Sequence, residues 1–190
     1  MKKFGFLAML LIGLVTLAAC GPRGDDVIRA DEDNQYFAMG QFAEWSPQEQ
    51  FELEAIATND DRVSSILSDI VDAEYLYIVE VTFSAEDAGW SNTFTEDGDE
   101  VTFNGNQAVK VMRLDAEDAQ TWMPSPEGGE IRNLTPDALF MPNFVDPDGD
   151  DYEEGLGHWN DNPFVREPGT YYIIYARVNN QNYMGAIPVE

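Results

Sequence analysis

The sequence predicts a mainly-β fold, an antiparallel β-sandwich with one or two short helices. Three observations predict it. Residues 75–83 and 169–178 are long runs of aromatic and β-branched side chains, the composition that packs well on a pleated surface. Shorter strand-like stretches at 101–103, 108–114 and 182–189 lie between turn-forming Gly, Pro, Asn and Asp. Clear helical spacing occurs in one place only, and no internal repeat is evident.

The first element with a defined start is Ser46-Pro47-Gln48-Glu49, which offers Ser as N-cap, Pro at the first helical position and Glu at the third. The residues just beyond it are ambiguous, because Phe51, Leu53 and Ala55 also alternate as in a strand. Val63, Ile66, Leu67, Ile70 and Val71 then recur at i, i+3, i+4, i+7 and i+8, so a helix is expected over 61–72 with Asp60 or Asp61 as its cap. The strand at 169–178 holds Tyr171-Tyr172-Ile173-Ile174-Tyr175, and Asn179-Asn180 is a tight turn that returns the chain over 182–189 as a hairpin. Pro188 puts the returning strand at a sheet edge, since proline has no N–H for a ladder. Residues 115–142 and 143–168 read as long irregular loops rich in Pro, Gly and acids.

The N-terminus carries a different signal. Met1, Lys2 and Lys3 precede an apolar run of 16 residues ending at Ala19. A membrane-spanning helix needs roughly 20, so a basic start with this shorter run reads as a cleaved export signal. Leu17-Ala18-Ala19-Cys20 resembles the lipobox of bacterial lipoproteins. The resemblance implies a diacylglycerol on the Cys20 thiol, cleavage just before Cys20 and acylation of the new amine. Several acyl chains anchor stably, because each buried CH2 contributes about 0.8 kcal/mol. Gly21 stands where enteric-type lipoproteins carry an Asp for inner-membrane retention, which implies the outer membrane and leaves open its periplasmic or surface side. The expected organisation is a signal peptide over 1–19, a lipidated Cys20 with an acidic tether over 20–35, and a β-sandwich domain over 36–190. One apolar pair, Val27-Ile28, interrupts the polar tether. Cys20 is the single cysteine, so the domain has no internal disulfide and depends on its core.

Charge excludes one class of partner. Ten basic residues against 36 acidic ones give a formal net charge of −26, more negative still once Lys2 and Lys3 leave with the signal. Nucleic-acid binding needs a basic surface and is excluded. Behind the signal only Lys110 remains among lysines. Two readings of the acidity stay open: solubility in salt, or a role in binding cations or a basic partner.

No catalytic set emerges. His158 is the sole histidine and no G-x-S-x-G elbow accompanies it, so a non-enzyme is expected. Asp146, Asp148, Asp150 and Asp151 alternate in a tight acidic loop, where carboxylates converge as a hard cation needs. The loop resembles the D-x-D-x-D calcium loops of thrombospondin-type and EF-hand proteins, which implies Ca2+, although Asp151 stands where Gly is usual. A solvated acidic turn is the other reading.

Trp90 with Asn92, and Trp159 with Asn160 and Asn162, place an aromatic face beside amides. That pairing suits a pyranose ring and equally a protein interface, and core tryptophans would look the same. The segment from Tyr36 to Trp45 is similar to the opening strand of starch-binding sandwich modules, and Pro168-Gly169-Thr170-Tyr171 to their closing strand. That resemblance implies a carbohydrate-binding surface lipoprotein of a glycan-uptake system. The leading expectation is a non-catalytic, lipid-anchored envelope lipoprotein that serves a larger membrane-associated assembly as an accessory or scaffold subunit. Its partners would be the membrane, through Cys20, and an envelope protein.

Overall fold

The computed structural model describes residues 23–96, 99–123, 133–134, 139 and 163–189. The strands are β1 (Asn34–Gly40), β2 (Glu54–Ala55), β3 (Ala73–Phe83), β4 (Ser91–Glu96), β5 (Asp99–Asn104) and β6 (Val109–Asp115), followed by β7 (Gln120–Met123), β8 (Asn133–Leu134), β9 (Phe164–Val165), β10 (Gly169–Val178) and β11 (Gln181–Pro188). A single-turn α-helix, α1 (Leu67–Ile70), follows a 3₁₀ segment, Asp61–Ile66. The fold is mainly β, as expected, and its two larger sheets are antiparallel.

One sheet has the order β11-β10-β3-β2 and the other β1-β6-β7. Their facing sides make a sandwich-like core: Tyr36 and Ala38 of β1 with Val109 and Val111 of β6, packed with Val81 and Phe83 of β3 and with Ile173, Tyr175, Met184 and Ala186 of the C-terminal strands. A second cluster joins Leu76, Ile78, Ile174 and Ala176 of the larger sheet to Val63, Ile66 and Ile70. Alternate residues of β10 therefore enter different apolar clusters. That double burial explains its unbroken apolar run, where a half-exposed strand would alternate with polar residues.

The C-terminal hairpin forms as its sequence indicates. Asn179 and Asn180 have φ of 53° and 62°, the left-handed pair of a type I′ turn, which asparagine tolerates better than most residues. β11 is an edge strand, and Pro188 lies opposite Tyr171. The ladder bond beside it runs from Val189 N–H to the Thr170 carbonyl at 2.9 Å, so the nitrogen of Pro188 faces away from β10 and no bond is lost there.

Other expectations change in form. The helix over 61–72 becomes 3₁₀ turns through Asp61–Ile66 and then one α turn. Asp60 is its cap, accepting Arg62 N–H at 2.9 Å, and Val63 and Ile66 are buried three residues apart, the spacing that aligns in a 3₁₀ repeat. No helix starts at Ser46: its hydroxyl bonds the Glu44 carbonyl, and the short 3₁₀ turn Glu49–Phe51 opens after Gln48. The strand-like alternation prevails just beyond, with Leu53 buried in the sandwich core and β2 paired to β3. The stretch 115–142 contains β7, whose Trp122 packs toward Phe37, Met39 and Met112, and also β8; β9 lies in 143–168. β4 had no sequence signal of its own and arises from pairing with β5.

Candidate functional site

Two places gather the residues of interest, at opposite ends of β1. At its start, residues 24–33 lie as an irregular strap on the body. Gly24 fits so closely against the Thr58 backbone that a Cβ there would sit 2.5 Å from the Thr58 carbonyl oxygen. Asp25 N–H donates to Thr58 Oγ1 at 2.9 Å, and Asn59 N–H to the Asp25 carbonyl at 3.1 Å. Asp31 is the second fastening: its N–H meets the Tyr77 hydroxyl at 2.5 Å, and its carboxylate accepts from Tyr36 Oη at 2.8 Å and Asn34 Nδ2 at 2.8 Å.

These hydroxyls belong to a buried tyrosine trio. Tyr36 stacks on Tyr175 with ring centroids 4.3 Å apart, and Tyr77 lies 4.9 Å from Tyr36. Burial raises the pKa of all three phenols above the ordinary value, because a phenolate there would lose its water. The strap is thus tied to the centre of the core.

Between the fastenings, residues 25–29 form a small closed loop. Arg29 bridges back to the Asp25 carboxylate with contacts of 2.5 and 3.1 Å, and Val27 N–H also bonds Asp25 Oδ1. The Arg29 hydrogen bond is the main cause that holds the Asp25 carboxyl below its usual range. At the apex stand Val27, 50% exposed, and Ile28, 62% exposed, two of the three large hydrophobic side chains that are exposed among the described residues.

The third is Trp90, at the other end of β1, where Gly40 closes against the Ala108 carbonyl. The indole lies on Gly105, where a Cβ would come within 2.1 Å of the ring, and meets Phe103 nearly at a right angle. Asn104 and Asn106 both donate from Nδ2 to the Glu86 carbonyl, and Gln107 Nε2 donates to the Val165 and Arg166 carbonyls at 2.9 and 2.6 Å. The side-chain amides of Asn104, Asn106 and Gln107, on the turn beneath Trp90, are therefore engaged by backbone. Asn92 pairs with Phe103 in the β4–β5 ribbon. Trp159, Asn160, Asn162, His158, the acidic loop residues Asp146, Asp148, Asp150 and Asp151, and Cys20 all lie outside the described residues.

A cleft of about 420 Å³ opens beside the β10–β11 turn, lined in part by Ser68, Asp69, Asp72, Asn179 and Tyr183. Its charged lining is acidic. Among the described residues, no group of three or more His, Cys, Asp or Glu side chains is close enough to hold a metal ion. Among the same residues, no helix is long and apolar enough to cross a membrane.

In the sequence Trp90 stands out beside its amides, whereas Asp31 and the Asp25–Arg29 clamp belong to no motif. The signal available for the latter was Val27-Ile28, an apolar pair in an otherwise polar stretch. Compared with family models, with curated proteins and with solved structures, the chain matches none.

Proposed function

We propose that the protein is a non-catalytic lipoprotein of the cell envelope, anchored through acylated Cys20 and serving a membrane-associated assembly as an accessory or scaffold subunit. The observation that carries the reading is the N-terminus, a basic start and a 16-residue apolar run ending in Leu17-Ala18-Ala19-Cys20. The placement of the two ends of β1 supports it. The strap enters at Asn34, and the Trp90 region lies beyond Gly40, about 20 Å away for a seven-residue strand. A domain held at the strap end presents Trp90 and the β4–β5 ribbon away from its anchor, where a partner subunit can reach them. The engaged amides near Trp90 favour a protein contact there over a sugar, whose hydroxyls need free polar groups.

Purification of the native protein from its own membranes in mild detergent tests this. The expected outcome is a Cys20 carrying acyl mass and a stoichiometric membrane-protein partner that is lost on Trp90→Ala. A Cys20→Ser variant should leave the membrane fraction. A protein that runs alone with an acylated Cys20 overturns the subunit role, and one with a free Cys20 thiol overturns the anchor.

A further inference from the structure

We infer that Val27 and Ile28 form a membrane-contact tip, seated in the interfacial region of the same bilayer that holds the acyl chains of Cys20. The inference rests on the lipoprotein reading and adds the orientation of the domain.

Three observations on the strap carry it. First, reach: the body is fastened from Gly24 onward, only four residues after Cys20. Four residues span at most about 14 Å, so the tether of sixteen residues expected from sequence reduces to a short link. Second, chemistry: the loop apex offers two aliphatic side chains to solvent, 50% and 62% exposed, while their neighbours Asp26 and Arg29 are polar. An apolar tip with a polar base suits the boundary between acyl chains and headgroups. Third, attachment: the Asp25–Arg29 pair closes the loop and the Thr58 contacts tie its base to the body, so insertion of the tip also orients the body.

Charge selects the kind of surface. From Cys20 onward the chain has 8 basic and 36 acidic residues, a charge of −28, and is repelled by anionic lipid, so the contact is apolar insertion into zwitterionic lipid and not electrostatic adsorption. Continuity with the anchor argues for lipid as the occupant over a second copy of the chain.

The test uses the full-length lipidated protein in phosphatidylcholine vesicles. With the Cys20 thiol blocked by its diacylglycerol, Ile28→Cys creates one free thiol for a polarity-sensitive fluorophore, and Thr93→Cys on the exposed ribbon supplies the distal control. Quenchers attached to the lipid chains should reduce the signal at position 28 at least threefold more than at position 93, with a blue-shifted emission at 28. A probe at 28 that is as water-exposed as the one at 93, on protein that floats with the vesicles, overturns the tip alone. A blue-shifted but unquenched probe at 28 also overturns it and assigns the loop to a second copy of the chain. If the parent protein itself takes up the thiol label at Cys20, the anchor reading fails and the tip falls with it.

Discussion

Two antiparallel strand pairs in this molecule have comparable ladders and different surroundings. The β10–β11 hairpin is built over eight register pairs and the β4–β5 ribbon over six. In the hairpin, Ile173, Ile174, Tyr175, Met184 and Ala186 are all at most 1% exposed. In the ribbon, Thr93 and Thr102 meet through their hydroxyls in water, and among the described side chains apolar support comes from Phe103 and Val101. The difference teaches that backbone pairing alone sets the shape of a ribbon, whereas burial decides how firmly it is held.

Four measurements break or sharpen that contrast. Alkali should act most strongly, and through the hairpin side. Buried Tyr175, with Tyr36 and Tyr77, has its folded-state pKa raised above the ordinary value of 10.0 by burial. The stabilisation is therefore complete below pH 10 and is lost as pH rises through the folded-state values. Within that window each phenol removes about 1.4 kcal/mol per pH unit, and urea midpoints measured from pH 9 upward should fall accordingly. The β4–β5 ribbon has no tyrosine, so a decline that begins with loss of the ribbon alone would contradict the contrast.

Ile174→Ala comes next. It opens a cavity in the layer between β10 and the 3₁₀ segment, with an expected loss of about 3 kcal/mol in urea unfolding at unchanged m. Gly105→Ala is smaller and local: its methyl displaces the Trp90 ring, at a cost of about 1–2 kcal/mol. Its signature is a shifted Trp90 indole N–H resonance with the β10–β11 amides unmoved. Thr93→Ala should be smallest, about 0.5 kcal/mol for one exposed cross-strand pair. In hydrogen exchange it should speed the ribbon amides while leaving those of β10 at the global rate.

The sequence was most legible where one physical demand dominates. β10 was bounded correctly because double burial leaves an unbroken apolar run, and the Asn179-Asn180 turn because few residues adopt two consecutive left-handed conformations. Local signals misled where tertiary contacts outbid them. Ser46-Pro47 is a good helix start in isolation, yet Glu44 and Trp45 turn the chain through left-handed conformations with φ of 51° and 55°. Leu53 is then claimed by the sandwich core. β4 is short and mainly polar and β7 is only four residues long, so both are set by their partners and neither has room for a period of its own. The strap looks like a tether in sequence because acids and Gly-Pro have linker composition. Its fastenings join Asp25 to Thr58 and Asp31 to Tyr77, contacts distant in sequence that no local pattern encodes.

Lys110, the only lysine after Lys3, is 2% exposed on β6, opposite Met39. Primary amines open to a reagent in the folded protein are therefore confined to its beginning. An unprocessed chain offers Met1, Lys2 and Lys3 to an amine-reactive reagent, a cleaved chain offers only the amine of Cys20, and a chain acylated on that nitrogen offers nothing until it unfolds. Amine labelling followed by intact mass thus tells, on one sample, whether the N-terminus is intact, cleaved or acylated, and any label found on Lys110 reports unfolding instead.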